Sequence, residues 1–189
     1  MKSIRTFQLL IGAAFGLVVA AGAAVVFSTT SFADTLHVAE DSYIKLDKGN
    51  ENNGSDKLIQ VVDGVNNKDQ TGFVKFDFST LPADLISADV DRATLRMWVE
   101  KVDSAGTIEI RQVDDDWDEG SVTGSFPPGY VTFVTARFVD FEDENKFVTV
   151  DVTDLFKDWV DGLVDNFGIA LVATEGAKVS FGAKETDKV

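Results

Sequence analysis

Trp98 is flanked at every second position by Arg96 and Glu100, while Leu95, Met97 and Val99 take the alternate positions. In an extended strand that period puts the tryptophan and the arginine on one face and the apolar set on the face that seeks a core. Arg111 holds the corresponding polar position of the next run, where Ile108 and Ile110 alternate with Thr107, Glu109 and Arg111. An aromatic surface bordered by guanidinium groups suits a ligand with apolar C–H faces and many hydroxyls, the description of a pyranose ring. Trp98, Arg96 and Arg111 are therefore the candidate carbohydrate contacts. The alternative use of such a face is burial beneath a loop or a neighbouring subunit. Tyr43 and Tyr130 are further aromatic candidates.

The second concentration of chemistry is the acidic run from Asp114 to Glu119, interrupted by Trp117. Asp114, Asp116 and Asp118 have the alternating spacing of a calcium loop. The sixth position is Glu119 where an EF-hand needs glycine, and the twelfth is Ser125 where it needs glutamate, so an EF-hand is excluded. An irregular oxygen-rich calcium site built from Asp114, Asp116, Asp118 and Glu119 remains open, and calcium is the one cofactor the acids would suit. The plain alternative is a solvated loop in which Trp117 plugs the end of the fold. Catalysis has little to work with. The chain has one histidine, His37, and no cysteine, which removes imidazole triads and His/Cys metal centres. A pair of carboxylates such as Asp116 and Glu119 could serve glycoside hydrolysis, but a chain with 32 acids supplies such pairs everywhere. The expectation is a protein that is not an enzyme.

Those residues sit in a strongly acidic chain, with a formal charge of −15. The field around it repels DNA, RNA, anionic lipid and anionic polysaccharide and attracts divalent cations. Nucleic acid is excluded as a partner. Residues 1–33 read as a leader: Lys2 and Arg5 precede an apolar run from Phe7 to Phe27, and Ser31-Phe32-Ala33 has the small–x–small form of a cleavage site. The run is expected to be a signal helix, either removed after Ala33 or kept as a membrane anchor. Either outcome makes this an exported protein, secreted or held at the cell surface. Residues 34–189 then form a single domain, with no disulfide to staple it.

Apolar residues in that domain recur with period two. Val74, Phe76 and Phe78 alternate with Lys75 and Asp77, and Val148, Val150 and Val152 with Thr149 and Asp151. Thr35–Ala39, Tyr43–Leu46, Lys57–Val62, Val131–Val139, Phe167–Thr174 and Lys178–Ala183 add further strands, giving about ten. Phe167–Thr174 is apolar on both alternations, as a strand covered on both faces should be. Turn clusters at Asn50–Ser55, Gly64–Gly72 and Phe126–Gly129 separate them, with Gly54 permitting a positive φ in a tight loop. One helix interrupts the pattern at about residues 153–161, where Leu155, Phe156, Trp159 and Val160 fall at helical spacing between Thr153 and Gly162. Trp159 belongs to the core. The fold class is all-β: a jelly-roll-like antiparallel sandwich with one short helix.

Several of these segments, taken in order, resemble DNRLRE-type domains, also grouped as carbohydrate-binding module family 96 and related to disaggregatase domains. The opening is Asp41-Ser-Tyr-Ile44 followed by Asn52-Asn-Gly-Ser55. The middle is Phe73-Val-Lys-Phe-Asp-Phe-Ser-Thr-Leu-Pro82, then Ile86-Ser-Ala-Asp-Val-Asp-Arg-Ala-Thr-Leu-Arg96. Trp117 and Glu119 with Val122-Thr123 follow, and then the block from Val150 to Glu185. The resemblance covers most of residues 36–185. It implies a jelly-roll sandwich on an exported protein, often an appendage that binds polysaccharide. Domains of this kind commonly continue beyond the Ala183-Lys-Glu185 element into one more strand, whereas this sequence stops at Val189. The leading expectation is a non-catalytic exported module that binds polysaccharide at the cell surface or in the matrix. The alternative is a self-assembling subunit of a surface layer, filament or matrix, whose partner is a neighbouring copy of itself.

Overall fold

A computed structural model describes residues 8–21 and 24–187 of the chain. Eleven antiparallel strands form one curled sheet among the described residues: β1 (Gln8–Ala21), β2 (Ala24–Leu36), β3 (Val38–Lys45), β4 (Leu58–Val62), β5 (Gln70–Phe76), β6 (Val90–Ser104), β7 (Gly106–Gln112), β8 (Phe133–Val139), β9 (Lys146–Asp151), β10 (Ile169–Thr174) and β11 (Lys178–Gly182). The sheet folds into two leaves. One runs β2-β1-β6-β11-β4, with β9 on the far side of β6; the other runs β3-β5-β10-β7-β8. The single pair Val62–Gln70 is the whole β4–β5 ladder that joins them.

The period-two pattern explains the sandwich-like packing. Leu95, Met97 and Val99 of β6, Val148 and Val150 of β9, and Val179 and Phe181 of β11 point inward from the first leaf. Val74 and Phe76 of β5, Ile108 and Ile110 of β7, and Ile169 and Leu171 of β10 meet them from the second. Each fully buried Leu, Ile or Phe contributes about 1.5–3 kcal/mol by leaving water. The inner row of β10 joins this core, while Ala170 faces a second apolar cluster on the outside of the second leaf. That strand is covered on both faces, as its sequence indicates.

The helix expected at residues 153–161 is α1 (Thr153–Val160). Leu155, Phe156 and Trp159 are its buried residues, and Phe78 packs edge-on against both Phe156 and Trp159. Thr153 ties the first turn down: its hydroxyl meets Asp151 Oδ1 at 2.6 Å and receives the Ala93 N–H at 3.0 Å. Gly162 ends the helix with φ +66°, the left-handed conformation that glycine adopts without a Cβ penalty.

Three local expectations change. The run Thr35–Ala39 is not one strand: Thr35 and Leu36 end β2, whereas Val38 and Ala39 begin β3, which runs on through Tyr43–Lys45 and carries a register shift between Val38 and Glu40. Gly54 has no positive φ; a Cβ there would lie 2.4 Å from the carbonyl oxygen of Glu119, so close approach is what requires glycine. The structure does not show the helix expected for residues 1–33. Residues 8–21 and 24–36 are extended, β1 pairs with β2, and Gln8–Ala13 pairs with Val90–Arg96 of β6. The segment is rich in Val, Phe and Thr, which suit a pleated strand, and the edge of β6 supplies a ladder for it. Residues 1–7, 22 and 23 lie outside the described residues. No helix among the described residues is long and apolar enough to cross a membrane.

Candidate functional site

The outward row of β6 carries Arg96, Trp98 and Glu100. Phe147 of β9 stands directly across the ladder from Trp98, their rings edge to face at 5.0 Å. The Arg96 guanidinium lies over the Phe147 ring at 3.6 Å and donates to Gln8 Oε1 at 3.1 Å. Trp98 Nε1–H donates to Glu100 Oε2 at 2.8 Å. Arg96 and Trp98 therefore share one half-buried aromatic–cation patch on the outside of the first leaf.

Arg111 does not join that patch. The chain passes from the first leaf to the second at Ala105, so β7, the next strand in sequence, turns its outer face the opposite way. Arg111 instead meets Glu109, donating through Nε at 3.0 Å and Nη2 at 2.7 Å to one carboxylate oxygen. Across the ladder from it is Phe133 of β8, and Phe138 pairs with Thr107 farther along. Phe133 and Phe138 are five residues apart, which strict alternation would place on opposite faces. The register shift beside Ile110 makes Val134 the extra residue of a β-bulge, restoring both phenylalanines to the outer face. They are 57% and 55% exposed. The result is a surface with two open aromatic rings about 13 Å apart along the ladder and a polar Arg–Glu pair beside the first. The alternation of the sequence conceals this pairing, because a bulge has no signature in hydrophobic period.

The acidic run is dispersed over several partners. Asp114 Oδ2 accepts the Val131 N–H at 3.0 Å, and Asp115 Oδ2 accepts that of Gly129 at 2.9 Å. Asp116 Oδ1 accepts from Lys75 Nζ at 2.9 Å, and the same ammonium donates to Glu40 at 3.2 Å and to the Trp117 carbonyl at 2.8 Å. Burial would lower the Lys75 pKa, but the bonds and charges of Asp116 and Glu40 outweigh it and raise it. Trp117 is buried, donates Nε1–H to the Phe167 carbonyl at 2.8 Å, and packs on Phe73 in the outer cluster. It covers the outside of a leaf and does not plug the sandwich end. An open cleft of about 360 Å³ lies beside it, lined by Asp115, Asp118, Ser121 and the exposed Phe126.

Of the four candidate calcium ligands only Glu119 belongs to a carboxylate cluster among the described residues, and its companions are Asp41 and Glu185. One oxygen of each lies within 4.8 Å of the others. Asp41 is 1% exposed and accepts the Lys184 backbone N–H at 2.6 Å. Burial pushes its pKa up to about 7, against the pull of that hydrogen bond and of the Lys184 charge. The Lys184 ammonium pairs with Glu119 and lies 3.5 Å from Glu185; burial works to lower its pKa, and the bond to Glu119 with the surrounding carboxylates raises it. Three hard oxygen donors fit part of a calcium shell, which takes six to eight, and the ion would have to displace the ammonium. Asn52 Nδ2 closes the knot from the neighbouring loop, donating to the carbonyls of Glu119 and Val122.

The model of carbohydrate-binding module family 96 matches residues 33–189. A comparison with curated proteins finds no match.

Proposed function

Because the chain belongs to carbohydrate-binding module family 96, we propose that it is an exported, non-catalytic module that binds polysaccharide at the cell surface or in the extracellular matrix. The family match over residues 33–189 carries this reading. The exposed face of β7 and β8 supports it chemically: Phe133 and Phe138 offer rings on which the apolar faces of sugars stack, and Arg111 with Glu109 offers donors and acceptors for hydroxyls. The Trp98–Arg96 patch is the second candidate face. At a formal charge of −15 the preferred glycan is neutral, or is bridged by calcium where it is acidic. Export rests on the leader, and a leader kept in place would tether the module to a membrane.

Screening the protein against arrayed and immobilised polysaccharides, with and without calcium, tests the proposal. Binding to neutral glycans is expected. Absence of binding to every polysaccharide in both conditions overturns it.

A second reading, a self-assembling subunit of a surface layer, filament or matrix, is favoured by one observation. The edge of β6 is closed by a strand that lies outside the family-matched residues.

A further inference from the structure

Two positions of the core are filled from outside the module. Leu9 and Ile11 are 0% and 2% exposed and stand across from Leu95 and Ala93 in the inward row of the first leaf. Both precede residue 33, where the family match begins. β11 covers the same edge of β6 only from Val99 to Ser104. The stretch Val90–Arg96 is therefore closed by six pairs to Gln8–Ala13 and by no other strand on that side among the described residues. Without β1, the module has an unpaired edge and an apolar gap the size of two aliphatic side chains. Leu36, fully buried opposite Leu9, loses its partner at the same time.

We propose that Val90–Arg96 is a strand-acceptor site, and that in the exported, processed protein it holds the N-terminal segment of a second copy of this chain. The proposal rests on the reading of residues 1–33 as a removable leader and deepens the self-assembly reading. The chain's own remnant is a poor occupant. β2 is antiparallel to β1, which is antiparallel to β6, so Asp34–Leu36 runs parallel to β6. A second copy approaches without that constraint and can lie antiparallel, as Gln8–Ala13 does. Its segment from Asp34 to Val38 carries Leu36 and Val38 at the two-residue spacing of Leu9 and Ile11, the spacing that puts both side chains into the gap, at the cost of the Val38–Phe76 pair that opens β3. Main-chain bonds along an open edge supply affinity and the two apolar side chains set the register. Because each copy has one such segment and one such edge, exchange closes a dimer or propagates a chain.

The test uses the full-length chain, secreted by a host with a signal peptidase. The N-terminus of the released protein is read by mass spectrometry, and its size by light scattering after gel filtration. Expected are a terminus at Asp34, a mass at least about twice that of one chain, and dispersal to monomers by a synthetic peptide of residues 6–14. A second measurement uses the absence of cysteine: the double variant Leu36→Cys, Leu95→Cys should give covalent dimers on mild oxidation. A monomer beginning at Asp34, oligomers that the peptide leaves intact, or a cross-link within one chain overturns the second copy as occupant. A released chain that still carries Gln8–Ala13 overturns the leader reading beneath it.

Discussion

Phe133 stands across the β7–β8 ladder from Arg111, and the bulge at Val134 is what turns Phe133 to the outer face that Arg111 already holds. Neither residue contributes to the buried core, so their substitution separates binding from folding. Arg111→Ala, Phe133→Ala and Phe138→Ala should each weaken polysaccharide binding roughly tenfold, about 1.4 kcal/mol, with stability changed by no more than about 0.5 kcal/mol. Titration calorimetry on the best glycan, with a melting curve for each variant, checks this. Loss of binding in Trp98→Ala alone would move the site to the first leaf.

Lys75 holds the acidic loop to the sheet through Glu40, Asp116 and the Trp117 carbonyl. Lys75→Met keeps the length of the stem and removes the charge. The expected cost is about 1.5–3 kcal/mol, the range for hydrogen bonds to charged groups, with a red shift of Trp117 fluorescence as the loop loosens. An unshifted spectrum and an unchanged melting temperature would mean the loop is held by Trp117 packing alone.

Asp41 makes stability depend on pH in an unusual direction. Burial holds its folded pKa at about 7, well above the ordinary aspartate value of 3.8. A group raised in this way contributes stability fully below the lower value and loses it as pH rises through the higher one. Between about pH 4 and pH 7 the slope from this group approaches 1.4 kcal/mol per pH unit. Asp41→Asn should therefore be more stable than the parent at pH 8 and nearly equal to it at pH 4, as urea unfolding at the two pH values will record. A variant less stable at pH 8 would refute the burial argument.

Calcium should act on the same group with the opposite sign. An ion held by Asp41, Glu119 and Glu185 favours the ionised carboxyl, so millimolar calcium is expected to raise the melting temperature at pH 8 and flatten the pH dependence. Glu119→Gln should abolish the rise, whereas Asp114→Asn should not. No calcium response in the parent protein would leave the cluster as a Lys184 ion-pair knot.

Much of this arrangement is written in local pattern. The alternation around Leu95–Glu100 sorts core from surface correctly, and Thr153 with Gly162 brackets the helix, because both depend on neighbours close in sequence. What alternation cannot convey is which leaf a strand joins. Trp98 and Arg111 look like neighbours because their strands are consecutive, and the crossing at Ala105 sends them to opposite sides. Asp41, Asn52, Glu119 and Lys184 show the converse. Each lies in a separate segment of the family resemblance, and they meet in one knot that no spacing along the chain reveals.

The solitary Val62–Gln70 rung has a consequence for temperature. Within each leaf the strands are tied by main-chain hydrogen bonds; between the leaves, apart from that rung and the Asp41–Lys184 knot at one end, the buried layer is apolar. Apolar attraction weakens on cooling, and ladders of hydrogen bonds do not share that weakness. Cooling is therefore expected to loosen the molecule first at the layer of Leu95, Met97 and Ile110, before the ladders within each leaf.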